Sequence, residues 1–319
     1  MNFFRTFSVM WLSMCCATAA FGQAVSSTSI RIIVPYAPGG LVDVMSRIMA
    51  MRMAQTLGQP VVVENRPGAN ANIGTAFVAQ SAPDGRTVLA SASYFSTNPL
   101  IESNLQWEPK QLVPVARFAI SPNVFVVPGK LALATLKELL AQAKATPGLP
   151  VVDGGRGTTQ TMIQMVLEDA AQVTFTYIQY RGGVSYVPDM ISGTVSGGVI
   201  PLNVALGLVK AGELKALAIT SANRSALLPA VPTMTEAGFP DAGIDSWLGY
   251  HVPAGTPPEV RKRLMTAVEE SASNGDVRSR FATLGAESAY LDTAAFDGFL
   301  QADMNRARRV VRLMGAQPR

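Results

Sequence analysis

Histidine occurs once in this 319-residue chain, and cysteine only at the adjacent positions Cys15 and Cys16. His251 has no His or Cys partner at metal-ligand spacing, and both cysteines sit at the extreme N-terminus. A zinc centre or a thiol nucleophile in the body of the chain is therefore excluded, and no metal or cofactor is expected. Charge is sparse, at 15% of residues, and nothing after residue 24 is long and apolar enough to span a bilayer as a helix. The 26 basic and 22 acidic residues include no basic run, and Arg306, Arg308, Arg309 and Arg312 have the spacing of one solvated helix face. No nucleic-acid partner is expected from that pattern. Gly-x-Ser-x-Gly elbows, Walker loops and dinucleotide fingerprints are missing as well. The sequence does not read as that of an enzyme.

What is present begins with an address. Arg5 is the only charge before residue 31, and 7–21 is nearly all apolar or small. This is the pattern of a cleaved secretory signal peptide, assigned to 1–24, with cleavage after Ala17-Thr18-Ala19 or after Gly22-Gln23-Ala24. The protein is thus expected in the periplasm, without a cysteine in its mature form. Leu12-Ser13-Met14-Cys15 resembles a lipoprotein cleavage box, but methionine is a poor residue before the anchoring cysteine, so lipid anchoring at Cys15 or Cys16 is the second choice.

The length suits two domains, and the apolar content is ample for two cores. A β-branched run at 30–34 stops at Pro35 and Pro38-Gly39-Gly40, and Leu41, Met45, Ile48 and Met49 then recur at helical spacing. Gly58 and Pro60 end that helix. Strands are expected at 61–63 and 87–92 around a small-residue helix near 73–80. After residue 130 the alternation resumes. Helices are expected at 133–146, 158–170, 184–192 and 202–211, and strands at 150–153, 173–178 and 214–220. Helices at 257–273, 276–284 and 293–314 close the chain. Such alternation predicts an α/β fold of mainly parallel sheets flanked by helices. The segments 123–127 and 246–252, each ended by proline, read as crossings between lobes. Residues 25–127 with 243–319 then form lobe 1, and 128–242 form lobe 2. Trp247 and Tyr250 lie in the second crossing, where hinge, cleft mouth and core are all open to them.

Chemistry points to two glycine-rich loops, each between a strand and a helix. Pro35-Tyr36-Ala37-Pro38-Gly39-Gly40 leads into the helix holding Asp43, and Gly154-Gly155-Arg156-Gly157-Thr158-Thr159 leads into the helix holding Gln160. The first N–H groups of a helix have no internal acceptor, and the helix dipole favours an anion there. Glycine permits close approach to the backbone, and threonine adds hydroxyl donors. Two such loops facing each other from two lobes would clamp a carboxylate. Taken singly, each is equally a tight turn with a helix cap.

These residues bring a family into view. Val34-Pro35-Tyr36-Ala37-Pro38-Gly39-Gly40-Leu41-Val42-Asp43, Val63-Glu64-Asn65-Arg66-Pro67-Gly68-Ala69-Asn70 and Pro83-Asp84-Gly85 come first. Tyr180-Arg181-Gly182-Gly183, Val231-Pro232-Thr233-Met234-Thr235-Glu236-Ala237-Gly238, Trp247-Leu248-Gly249 and Pro253-Ala254-Gly255-Thr256-Pro257-Pro258 follow in order. In these motifs the chain resembles the Bug family of extracytoplasmic receptors, the solute-binding components of tripartite tricarboxylate transporters.

The resemblance implies a two-lobed periplasmic binding protein (Venus-flytrap) fold, a small carboxylate in the interlobe cleft, and the membrane subunits of such a transporter as partners of a monomer. It also implies the ligand-binding residues: Tyr36, Pro38, Gly39, Gly40 and Asp43 from the first loop, and Gly157, Thr158, Thr159 and Gln160 from the second. Ser91 and Ser93 belong to the loop after the third strand, and Asp189 matches an acidic family position. The chain departs from the family where Gln160 replaces a frequent His, and where Ser196-Gly197-Gly198 replaces an acidic residue after Gly193-Thr194-Val195. A signalling partner in place of a transporter, and an enzyme using Asp43 as its base, are the alternatives. Ligands open to such a site include di- and tricarboxylates, acidic amino acids, aromatic acids and neutral amides, with Arg156 and Arg181 as candidates for a second anionic group.

Overall fold

The β-branched run Ile30–Val34 forms strand β1, in which Ile32, Ile33 and Val34 are wholly buried because helices cover both faces of its sheet. The protein is described here by a computed structural model covering residues 29–155, 157–180 and 184–313. The expected signal segment 1–24, Arg156, Arg181, Gly182, Gly183 and the expected helix end at Met314 lie outside the described residues.

Helix α1 (Leu41–Leu57) follows β1 and ends where Gly58 takes the left-handed conformation. It buries Met45, Met49 and Met53 completely against the sheet, and each burial contributes roughly 1.5–3 kcal/mol. Next come β2 (Val61–Asn65), α2 (Asn72–Ala79), β3 (Thr87–Ser91), α3 (Tyr94–Ile101) and β4 (Leu112–Ser121). The chain then enters β5 (Asn123–Pro128), α4 (Leu136–Ala145), β6 (Leu149–Asp153), α5 (Thr159–Ala171) and β7 (Phe175–Gln179). It continues through α6 (Val187–Ser192), β8 (Gly198–Pro201), α7 (Leu202–Lys210) and β9 (Leu214–Ile219). It returns along β10 (Ser246–Pro253) and ends with α8 (Pro258–Ser273), α9 (Gly275–Thr283), β11 (Glu287–Leu291) and α10 (Thr293–Leu313).

The first sheet has the order β11-β4-β10-β3-β1-β2, and the second β8-β5-β9; β6 and β7 pair beside the second sheet, tied to it by a bridge from Val151 to Gly197. Two packed α/β lobes result. The expectation of mainly parallel sheets is corrected to mixed ones. Among the described strand pairs β1–β2, β1–β3 and β6–β7 are parallel, while β3–β10, β10–β4, β4–β11, β5–β8 and β5–β9 are antiparallel. The physical reason is connectivity: strands that cross between lobes return without a helical crossover and therefore run against their neighbours.

The change of sheet falls at Pro122. Strand β5 pairs with β8 and β9, so 123–127 lies within the second sheet rather than ahead of it. The return falls before Ser246, where β10 inserts between β3 and β4. One core, with Met49, Phe118, Tyr250 and Phe281, belongs to the first sheet. Two others, around Phe125 with Ile163 and around Met190 with Ile200, belong to the second. The last helix touches both halves, packing on α3 and on α5.

Candidate functional site

The first loop takes its shape from Asp43. Its carboxylate is almost fully buried, and Oδ2 accepts the Gly39 N–H at 2.9 Å. Oδ1 accepts from Asn65 Nδ2 at 2.9 Å, and Arg47 Nε lies 3.0 Å away. Asn65 Nδ2 also donates to the Tyr36 carbonyl at 3.1 Å, tying the loop to β2. Burial alone pushes the Asp43 carboxyl up, but the bonds from Arg47, Gly39 and Asn65 and the Arg47 charge outweigh it and hold the carboxyl below its ordinary value. Asp43 and Gly39 thus form the frame of the loop, and the Gly39 amide is already engaged. Pro38 is exposed at the tip, while Tyr36 and Gly40 line the cleft. Burial pushes the Tyr36 phenol up, which keeps it protonated and able to donate.

The second loop is built around a helix cap. Thr158 Oγ1 caps α5 by accepting from Thr161 N at 3.3 Å, and it donates to the Gly155 carbonyl at 2.8 Å. Asp153 Oδ1 accepts from Gly155 N at 2.9 Å and from Thr161 Oγ1 at 2.7 Å. Gly157 stands at φ +76°, and its carbonyl accepts from Thr97 Oγ1 at 2.7 Å. Thr159 N donates to Ser93 Oγ at 3.1 Å. Gln160 Nε2 donates to Asn123 Oδ1 at 2.6 Å and lies 3.4 Å from Ser246 Oγ. These contacts join α3 of the first lobe and the two crossing strands to α5 of the second.

Between the loops lies a cavity of about 580 Å³. Of the residues expected at a binding site, Tyr36, Gly40, Ser93, Thr158, Thr159 and Gln160 line it together. The others are placed elsewhere. Ser91 is fully buried, with Oγ 3.0 Å from the Gly249 carbonyl and 2.8 Å from His251 Nδ1. Gly157 faces Thr97 and Asn98. Asp189 accepts from Tyr180 OH at 2.7 Å and so orients a tyrosine that does line the cavity. Burial and that bond push the Tyr180 phenol up to about 12. His251 is wholly buried against the Phe95 ring, 4.2 Å between centroids, and desolvation lowers it to about 3. It is a neutral core residue.

Three walls of the cavity escaped sequence reasoning. One is the loop 67–71, in which Ala69, Asn70 and Ala71 all adopt positive φ. Asn98 holds it, with Nδ2 donating to the Asn70 carbonyl at 2.7 Å and to Asn72 Oδ1 at 2.9 Å. Three consecutive left-handed non-glycine residues are strained, and such strain gathers at functional sites. The second wall is apolar: Tyr180, Val184, Tyr186 and Val199 face Leu41 and Trp247. Trp247, left open between hinge, cleft and core, is buried, lines the cavity and donates Nε1 to Asp303 Oδ2 at 3.0 Å, whereas Tyr250 is core. The third is Asp153, whose place at a strand end marks it only as a turn residue in the sequence. Among the described residues no cluster of three or more His, Cys, Asp or Glu could hold a metal ion, and no helix is long and apolar enough to cross a membrane.

Known proteins share this architecture. The family described as "Tripartite tricarboxylate transporter family receptor" matches residues 45–316. Protein BugT of Bordetella pertussis is 34% identical over 99% of this chain and 99% of its own. The solved structure of the periplasmic binding protein BugD superposes with a TM-score of 0.84 at 27% identity, covering 91% of this chain and 99% of that one. The R. palustris protein Rpa4515, solved with adipate, superposes with a TM-score of 0.86 at 27% identity, covering 92% of this chain and 100% of that one.

Proposed function

This chain belongs to the tripartite tricarboxylate transporter receptor family and is a periplasmic solute-binding protein of that family, and we propose that it captures a small carboxylate in the interlobe cavity and delivers it to the membrane subunits of a tripartite tricarboxylate-type transporter. One observation carries the reading. Gly40, the N-cap of α1, and Thr158, the N-cap of α5, line the same cavity from opposite lobes. At the start of α1 the Leu41, Val42 and Asp43 amides, and at the start of α5 the Gln160 amide, have no acceptor among the described hydrogen bonds and can serve an anion, while the Thr158, Thr159 and Thr161 amides are bonded within the protein. The adipate bound to Rpa4515 supports a carboxylate as the ligand class.

Of the residues named from the sequence, Tyr36, Gly40, Ser93, Thr158, Thr159 and Gln160 are the contacts in this proposal. Asp43, Gly39, Ser91, Gly157 and Asp189 act by holding loops, lobes and Tyr180 in place. A few charge-assisted hydrogen bonds of about 1.5–3 kcal/mol each support micromolar binding, about −8 kcal/mol. Closure of the lobes over the ligand follows from contacts made to both. We read the protein as a binder rather than an enzyme, because its one histidine is sealed in the core and Ser91 beside it is closed off. Residues 1–24 are proposed to direct export and to be removed.

Isothermal titration calorimetry of the mature protein against a panel of mono-, di- and tricarboxylates tests the reading. Micromolar binding of at least one of them, weakened when Thr158 is replaced by Val, is the expected result. A panel in which no carboxylate binds or raises Tm removes it.

A further inference from the structure

The cavity carries its own charge, and the sign is unexpected for an anion site. Among the described lining residues there is no Lys, Arg or His, while Asp153 and Glu102 are both present. Asp153 is 4% exposed. Both described hydrogen bonds that reach its side chain end on Oδ1, from Gly155 N and Thr161 Oγ1. Oδ2 accepts none of the described hydrogen bonds, forms no described ion pair and is not among the sealed polar atoms. A carboxylate oxygen is acceptor-only when ionised, and a buried one without a donor is costly. Glu102, at the end of α3, likewise makes no described side-chain hydrogen bond or ion pair.

We propose that Asp153 Oδ2 receives an ammonium group of the ligand, so that the preferred solute is an amino carboxylate rather than a dicarboxylate. This rests on the reading of the cavity as a carboxylate site. The carboxylate end lies at the start of α1, and the ammonium end meets Asp153, which sits beside the start of α5 through its bonds to Gly155 and Thr161. A second ligand carboxylate in that place would set two anions together, and like charges at close range repel. The apolar stretch between Leu41, Val199 and Trp247 suits the methylene chain joining the two ends. Asp153 is then the residue that determines specificity, while its Oδ1 keeps the second loop folded.

The test compares length-matched probes, glutarate with 4-aminobutanoate and adipate with 5-aminopentanoate, by calorimetry at pH 7. The wild-type protein is expected to bind one of the amino acids at least tenfold more tightly than its matched diacid. Asp153→Asn keeps an oxygen for Gly155 and Thr161 but removes the charge, and it is expected to bring that ratio below threefold with Tm little changed. Diacids binding as tightly as the amino acids, or an unchanged ratio in Asp153→Asn, overturns the proposal and leaves the carboxylate reading in place. Silence toward all four probes and toward the wider carboxylate panel removes the carboxylate reading, and this inference with it. Should Asp153→Asn fail to fold, the wild-type ratio alone decides.

Discussion

Thr97 Oγ1 donates a 2.7 Å hydrogen bond to the Gly157 carbonyl, so a helix of the first lobe closes directly on the second loop. There is no room there for a side chain. A Cβ on Gly157 would lie 2.4 Å from Thr97 Oγ1 and 3.0 Å from Thr97 Cβ, at a φ of +76° that L side chains disfavour. The glycine expected from the sequence to grip a ligand thus sets how closely the lobes approach.

Gly157→Val is therefore expected to hold the cleft open. Ligand affinity should fall at least tenfold, about 1.4 kcal/mol or more, and small-angle scattering should show a more extended particle. Adding Thr97→Gly should restore part of the affinity, because the clash is with that side chain. An affinity unchanged in Gly157→Val would show that lobe approach at this point is irrelevant to binding.

Asp43 supports the opposite loop from within. Asp43→Ala removes the acceptor for Gly39, Arg47 and Asn65 at once. The expected loss is about 2–3 kcal/mol of unfolding free energy, below the full range for a broken buried pair because the Arg47 side chain is 50% exposed. The lowered carboxyl also sets a sign. Its folded value lies below the unfolded one, so its contribution is full above about pH 4 and fades as pH falls through the folded value. Urea midpoints of wild type and Asp43→Ala should converge in acid; a constant gap down to pH 3 would contradict this.

The single histidine gives a cleaner acid limb. His251 is held neutral, lowered by desolvation to about 3, whereas the unfolded chain protonates near its ordinary value of 6.5. Stability is complete above about 6.5 and is lost progressively as pH falls from there toward 3, at up to about 1.4 kcal/mol per pH unit. Burial pushes the Asp245 and Asp303 carboxyls up, and as pH falls they act with the opposite sign, so the His251 share is read as the difference in slope between the wild type and a His251 variant. His251→Phe, which preserves packing on Phe95, should flatten the slope. Equal slopes in the two proteins would mean that His251 takes up its proton in the fold as readily as in the unfolded chain.

The framework of the fold was legible because periodicity and punctuation agree over most of the chain. Gly58 ends α1 in the left-handed conformation, as its place after the apolar repeat predicts, and the N-terminal β–loop–helix units supply the parallel strands. Strand β4 was not legible, since Pro114 interrupts it and its pairing with β10 shifts register twice. Helix α3 carries Pro99 within eight residues, against local propensity, and is sustained by its packing on α10. Of the site, the loops were visible in their glycines and threonines. Which amides they spend internally was not, because that depends on Asp43 reaching back to Gly39 and on Ser93 meeting Thr159 across the cleft. Asp153 was hidden for the same reason, its burial at the cavity wall being a fact of packing rather than of pattern.

Gln160 links the cavity to both crossing strands, and its chemistry allows a sharper test than simple deletion. Its Nε2 reaches Asn123 Oδ1 at the start of β5 and lies 3.4 Å from Ser246 Oγ at the start of β10. Asn123 is wholly buried and also donates Nδ2 to Ser246 Oγ at 3.1 Å. Gln160→Ala removes one donor and leaves Ser246 Oγ, 3.3 Å away, to serve Asn123 Oδ1, so a loss of about 1 kcal/mol is expected. Gln160→Glu should cost more despite its closer shape, because at neutral pH it sets a carboxylate without donors against the Asn123 oxygen. Both variants should weaken ligand binding, since the same side chain lines the cavity and contacts Asn123 and Ser246 at the starts of both crossing strands. Chemical denaturation with calorimetry on the same samples checks the order. If Gln160→Glu proved as stable as wild type and bound equally well, the amide would not be the donor that couples the cavity to the crossing strands.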